Sequence, residues 1–127
     1  MLKDLGPIGI DLQPLLSAVR SIPAVGWEPR VDPESDQTTA VRENSPYFPK
    51  QALTQVLDEI GPQYFGIGGY YNRVVLSCVP AGEQILPHTD DFGAVGLRSY
   101  HCHIPLITDP AVVMGSDAGV MHMPFGH

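Results

Sequence analysis

Basic residues are scarce in this chain, and cysteines are scarcer still. Only seven of its 127 residues are Lys or Arg, against fourteen Asp or Glu, so the formal net charge is −7. Nucleic-acid binders need clustered Lys and Arg to displace counterions, so the composition argues against a nucleic-acid partner. The two cysteines, Cys78 and Cys102, form neither a CxxC pair nor a spaced framework, which predicts reduced thiols in an intracellular protein.

Long apolar runs are also lacking. No stretch approaches the roughly 20 apolar residues of a membrane span. The N-terminal MLKDLGPIGIDLQPLL has an early acid and a Gly-Pro break, so it does not have the pattern of a signal peptide. We therefore expect a soluble cytoplasmic protein of one domain, large enough to bury a core without a disulfide or a structural metal.

Two segments of the first half have helical periodicity. Residues 11–22 are predicted as a short helix with Asp11 as its N-cap, on the spacing of Leu12, Leu15, Leu16 and Val19. Residues 48–61 are predicted as a second helix that ends at Gly61-Pro62, on the stripe of Leu53, Val56, Leu57 and Ile60.

The segment between these helices is polar and contains prolines. Residues 28–44 are predicted as a long surface loop around at most one short strand at 38–41. Such a loop could line a substrate groove or be ordinary solvated surface, and the second reading is the default.

After Pro62 the helix formers give way to Gly, Tyr, Val and Ile. Turn sequences separate five predicted strands, at residues 70–79, 83–90, 97–108, 111–119 and 120–126. Short strands at nearly regular spacing predict an antiparallel barrel or sandwich. The expected organisation is a helical lead-in and loop at residues 1–62, followed by a β core at residues 63–127.

A possible metal site lies in the tripeptide His88-Thr89-Asp90. Side chains two residues apart on an extended segment project to the same face, so His88 and Asp90 could share one ion. Two histidines and one carboxylate on one face of an octahedral ion are the ligand set of non-haem Fe(II) oxygenases. The tripeptide alone is a weak signal, because His-x-Asp occurs by chance in many proteins and a histidine in a polar turn is then the default reading. Asp91 is expected to be a turn former.

Two ordered blocks surround this tripeptide. They are LSCVPAGEQILPHTDDFG at residues 76–93 and LRSYHCHIPLITDP at residues 97–110. Over roughly residues 70–126, the chain resembles the aspartyl/asparaginyl β-hydroxylase family of Fe(II)- and 2-oxoglutarate-dependent dioxygenases. The resemblance implies a mostly β fold with N-terminal helices, in which the β core is a double-stranded β-helix, also called a jelly-roll or cupin-like fold.

The resemblance also implies roles for individual residues. His88 and Asp90 match the first two ligands of Fe(II), and Ser77 and His103 match residues that contact 2-oxoglutarate. His101 stands where the family often has an arginine, and Arg98 is a candidate substitute for it. Without the resemblance, Ser77 could be a solvated strand residue, His101 and His103 satisfied core histidines, and Arg98 a surface charge.

The third metal ligand has no clear match. In the family, a second histidine follows further along, so the resemblance predicts a chain that is incomplete at the C-terminus. His122 and His127 are the alternative ligands, although His127 is expected to fray at the chain end.

The implied activity is O₂-dependent hydroxylation of an aspartyl or asparaginyl side chain, or of a prolyl or small amino-acid one. The substrate is then an amino acid or a peptide. Two alternatives stay open. The chain could be a non-catalytic double-stranded β-helix domain without the third ligand, or a cupin-like metal protein with another chemistry, such as isomerisation.

Overall fold

A computed structural model describes residues 3–29, 38–64, 71, 73–85, 101–116 and 119–127. In chain order, its elements are helix α1 (Gln13–Arg20), a 3-10 helix (Ala24–Gly26), strands β1 (Glu28–Pro29) and β2 (Thr39–Arg42), helix α2 (Lys50–Tyr64), and strands β3 (Val75–Cys78), β4 (Val113–Ser116) and β5 (Gly119–His122). Among these elements, no helix is both long and apolar enough to cross a membrane.

Helix α1 confirms the first predicted helix but begins two residues later than expected. Its cap position is Leu12, whose side chain is buried and cannot bond the helix terminus. Asp11, one residue before the cap position, supplies the acceptor instead, because its Oδ1 accepts the Gln13 amide at 3.0 Å. The prediction of Asp11 as N-cap was therefore wrong in position, although its carboxylate does satisfy a first-turn donor.

Helix α2 confirms the second predicted helix, yet the predicted stop at Gly61-Pro62 was wrong. The helix continues to Tyr64 with Pro62 inside its last turn. A proline removes one donor, so only the bond that would reach the Asp58 carbonyl is lost. Asp58 is exposed to solvent, where an unpaired carbonyl costs little.

Strand β2 is the central strand of a three-stranded antiparallel sheet with the order β1-β2-β3. Its position agrees with the short strand predicted at 38–41. In the register of β2 with β3, Val41 is opposite Leu76 and Ala40 is opposite Ser77. The sheet therefore joins residues from both sides of the expected boundary at residue 62.

The core lies between this sheet and the two helices. One buried cluster contains Leu12, Leu15, Val19, Val41, Leu53, Val56, Ile60 and Leu76. Leu15 and Val41 are the most deeply buried of its large side chains, at 2% and 1% exposure. Because side chains alternate along a strand, Leu76 and Val41 define the helix-facing side of the sheet.

Residues 101–108 form no strand, which corrects the described part of the strand predicted at 97–108. Pro105 has no amide donor for a ladder. Its carbonyl instead accepts the Gly126 amide at 2.9 Å, and the Gly126 carbonyl accepts the Ile8 amide at 2.7 Å. Gly126 has φ +71°, and an added Cβ would lie 3.2 Å from Leu12 Cδ1, so this close approach favours glycine.

Strands β4 and β5 form a separate antiparallel hairpin that shortens the two strands predicted at 111–119 and 120–126. Val113 and Val120 are 55% and 71% exposed. The Thr108 hydroxyl donates to the Met123 carbonyl at 2.8 Å and so ties the hairpin to the preceding segment.

The fold is thus a small mixed structure of helices and antiparallel sheets. Within the described ranges no strand exceeds four residues, whereas α2 has 15, so this part is less β-rich than expected. The two sheets that the described residues form do not close into a barrel, and the predicted double-stranded β-helix stays a prediction. The strand predicted at 83–90 is described only to Ile85, which forms a β-bridge, and its remainder lies outside the described residues.

Replacing Leu15 with Ala should lower the free energy of unfolding by about 2–5 kcal/mol, because the substitution opens a cavity at a fully buried position. Leu5→Ala is the matched control, since Leu5 is 47% exposed, and it should change stability by no more than about 0.5 kcal/mol. Urea unfolding followed by circular dichroism measures both. Equal losses for the two variants would contradict the assigned core.

Candidate functional site

Ser77 lies on the face of the sheet that is opposite the core cluster. It follows buried Leu76 on β3, and strand alternation points the two side chains to opposite sides. Ser77 itself is exposed, whereas Ala40, which is opposite it on β2, is buried, so this face is open at β3 and covered at β2. Its hydroxyl can therefore donate to or accept from a ligand on this face. We call this side of the sheet the Ser77 face.

A tight turn carries the chain from β3 towards the His88-Thr89-Asp90 tripeptide. The Glu83 amide donates to the Pro80 carbonyl at 3.1 Å, and Gly82 has φ +80°. This conformation at the third residue is that of a type II turn, where glycine carries no steric penalty. His88, Asp90, Asp91 and Arg98 lie at residues 86–100, outside the described residues, so their predicted roles stay predictions.

His101 and His103 belong to the irregular segment after that gap. Both histidines are exposed, whereas Ile104 and Leu106 pack against the core cluster. The predicted alternative of satisfied core histidines therefore does not describe either residue. Their proposed role in 2-oxoglutarate binding stays a prediction.

Cys102 stands between these histidines. Over the whole residue it is exposed, but enough atoms surround its thiol that desolvation raises the pKa of Cys102. The charge of Cys102 in turn acts on the phenol of Tyr71. Desolvation is the main cause that raises the pKa of Tyr71, and the charges of Cys102 and Asp58 add to it.

Tyr71 connects this region to helix α2. Its hydroxyl donates to the Leu57 carbonyl at 2.9 Å, and it lies so close to Gly61 that an added Cβ there would be 3.1 Å from it. The sequence analysis did not find this contact. It joins residues 14 positions apart, across a stretch with no periodicity to indicate it.

The two candidate third ligands are both oriented through Nδ1. His122 Nδ1 is 2.7 Å from the Val112 carbonyl oxygen. A carbonyl only accepts, so this nitrogen donates, and Nε2 of the neutral ring carries the lone pair that a metal ligand needs. The register of the β4–β5 hairpin, with His122 opposite Val113, could have indicated this contact.

His127 is held against the N-terminal segment. Its Nδ1 is 3.2 Å from both carboxylate oxygens of Asp4, and the expectation that this end frays stays a prediction. The Gly6 amide donates to Asp4 Oδ1 at 2.8 Å, and this bond, followed by the His127 contact, lowers the pKa of Asp4.

The described residues alone bring together no group of three or more His, Cys, Asp or Glu side chains that could hold a metal ion. What they do provide is an exposed hydroxyl on the Ser77 face and two exposed imidazoles after the gap. All three are donors suited to an anionic ligand such as a carboxylate.

Comparison with known proteins adds no relative to this picture. The chain has no significant match among protein-family models, curated proteins or solved structures.

The pKa of Cys102 can be tested in a Cys78→Ser variant, in which Cys102 is the remaining thiol. Alkylation requires the thiolate, so its rate profile should lie at higher pH in the folded protein than in urea, and the folded rate near neutral pH should be lower. Iodoacetamide labelling followed by mass spectrometry measures both profiles. Coincident folded and unfolded profiles would show that the thiol is fully solvated.

Proposed function

We propose that this chain is an Fe(II)- and 2-oxoglutarate-dependent dioxygenase with a double-stranded β-helix core. Its substrate would be an aspartyl or asparaginyl side chain, or a prolyl or small amino-acid one. The observation that carries the proposal is the position of Ser77. It lies on the sheet face opposite the helices, one tight turn before the segment that contains His88 and Asp90.

The orientation of the sheet supports this reading. A double-stranded β-helix that binds a ligand inside needs one face of its sheet against outer helices and the other open to the interior. Val41 and Leu76 take the first role, because they belong to the core cluster with α1 and α2. Ser77 is then on the face that would line the interior.

The turn between Pro80 and Glu83 supports the order of the motif. It reverses the chain after β3, and Ile85 already forms a β-bridge beyond it. An extended continuation to residue 90 would project His88 and Asp90 from the same face. These two side chains are the proposed ligands of Fe(II), with a further histidine completing the set.

The exposed polar residues suit 2-oxoglutarate, which is a dicarboxylate. The chain has a net charge of −7, so an anion must be held by local donors rather than by the overall field. Ser77 and His103 are the proposed donors, and His101 or Arg98 would supply the position where the family often has an arginine. Imidazole and hydroxyl groups can both donate to a carboxylate.

When bound, iron and 2-oxoglutarate supply the oxidising chemistry, and the protein contributes binding and orientation. For the chain's own residues this means holding one carboxylate of the cosubstrate at Ser77 and His103. It also means leaving room on the Ser77 face for an amino-acid or peptide substrate.

Turnover of 2-oxoglutarate to succinate tests the proposal. We expect succinate from the protein incubated with Fe(II), ascorbate and 2-oxoglutarate, together with an amino-acid or peptide substrate. His88→Ala and Asp90→Ala should reduce it to background, because each removes a proposed metal ligand.

Asp91→Asn is the matched control for these variants. It removes a neighbouring carboxylate that is expected to form a turn, so its succinate yield should stay close to that of the parent protein. Equal yields from the parent and from His88→Ala would contradict the proposal. No succinate from a folded parent would instead support the non-catalytic β-helix domain.

Ser77→Ala should raise the KM for 2-oxoglutarate about tenfold or more, since a hydrogen bond to a charged group contributes about 1.5–3 kcal/mol. The comparison is Cys78→Ala, which lies on the same strand but points to the opposite side. Steady-state kinetics with varied cosubstrate measures both variants. An unchanged KM in Ser77→Ala would remove Ser77 from the pocket.

A further inference from the structure

Three of the chain's four methionines, Met114, Met121 and Met123, belong to the β4–β5 hairpin or directly follow it. Met114 is directly opposite Met121 in the register of the two strands. The Met123 amide donates to the Val112 carbonyl at 3.2 Å, so the pairing continues one residue past β5. Because side chains alternate along a strand, the three methionine side chains share one face of the hairpin. We call this side the methionine face.

The methionine face is sheltered from solvent without belonging to the core. All three methionines are half-buried, whereas Val113 and Val120 on the opposite face are 55% and 71% exposed. Within the described part of the chain, neither the core cluster nor the apolar side chains packed against it include these methionines. The methionine face is therefore partly shielded from water, but the core does not need its side chains to fill its volume.

The spacing of the three side chains allows their sulfurs to converge. Directly opposed residues such as Met114 and Met121 have Cβ atoms about 5 Å apart. Residues two positions apart on one strand, such as Met121 and Met123, are about 7 Å apart. A methionine side chain has three rotatable bonds, so each sulfur can turn from these positions towards a common point without a change in the backbone.

The chemistry of a thioether restricts what such a point can bind. A thioether is neutral and polarisable, and it has no proton to lose. Hard cations such as Mg²⁺ and Ca²⁺ prefer oxygen ligands, whereas soft sulfur ligands select Cu(I). A set of three thioethers without a thiolate therefore suits Cu(I) best among the metal ions of the cell.

We propose that Met114, Met121 and Met123 form a binding site for Cu(I). The three sulfurs coordinate one ion on the methionine face, and the partial burial of this face limits the access of water to it. His122 is not a ligand of this ion, because it alternates to the opposite face and its Nδ1 is bonded to the Val112 carbonyl.

The binding of Cu(I) is independent of the proposed hydroxylation. None of the three methionines is proposed to bind Fe(II) or 2-oxoglutarate, and His122, the nearest candidate ligand of Fe(II), is on the other face of the hairpin. Binding can therefore be measured without Fe(II) or 2-oxoglutarate, and its result does not depend on the succinate assay.

Anaerobic titration with Cu(I) against a chromogenic Cu(I) chelator tests the proposal. The protein carries Cys78→Ser and Cys102→Ala, so that no thiolate competes for the ion. We expect a single bound Cu(I) per chain. Its affinity should change less than about threefold between about pH 6 and pH 8, because thioether ligands release no proton, whereas thiolate or imidazole ligands would weaken at the lower pH.

Two variants locate the site. Met121→Leu keeps the apolar volume but removes the central sulfur. It should weaken Cu(I) binding about tenfold or more, since even the loss of a residue that supports a metal ligand costs about 10–100-fold. Val120→Leu, its neighbour on the opposite face, is the matched control and should leave the affinity unchanged. No binding of Cu(I), equal affinity in the parent and in Met121→Leu, or markedly weaker binding at the lower pH would overturn the proposal.

Discussion

Packing of the two helices against one face of β2 and β3 is the constraint on which the other features depend. Leu15 from α1 and Val56 from α2 share a cluster with Val41 and Leu76. Because strand side chains alternate with a period of two, burying Leu76 also decides that Ser77 points the other way. A slip of one residue in the register would bury the serine and expose the leucine. The apolar contacts on the helix side of the sheet therefore determine which side chains of β3 point away from the core.

The elements that depend on local pattern could be predicted from the sequence. Apolar stripes predicted both helices. The structure buries the residues of the α2 stripe, Leu53, Val56 and Ile60. The end of α2 could not be predicted in the same way, because a proline such as Pro62 normally ends a helix. Whether one missing hydrogen bond ends a helix depends on the surroundings of the Asp58 carbonyl and on the bond that Tyr71 donates to the neighbouring Leu57 carbonyl. Neither can be inferred from the residues around the proline.

The absence of a strand at residues 101–108 could not be predicted, because it depends on which distant residues this segment bonds. Alternating residues around His101 and His103 have the pattern of a strand, but a strand also requires a neighbour to pair with. The Pro105 carbonyl bonds Gly126 instead, 21 positions along the chain. Of the candidate site, the exposure of Ser77 could not be read from VLSC, because Val75 and Leu76 are both apolar and only the structure shows that Leu76 is the buried one. The exposure of the two histidines could not be predicted from alternation either, because their segment does not form a strand.

The two halves of the candidate site consequently differ in what holds them. Ser77 sits on a strand whose neighbour Leu76 is buried in the core, so moving it requires breaking apolar packing. The histidine segment is held by the partly buried Ile104 and Leu106, which pack against the core cluster, and by the hydrogen bonds of Pro105 and Thr108 to residues 119–127. Segments with few buried apolar contacts open at a lower free energy than the core does. The serine side has a buried neighbour, whereas the histidine side has only partly buried apolar contacts, so we expect the histidine side to open at the lower free energy.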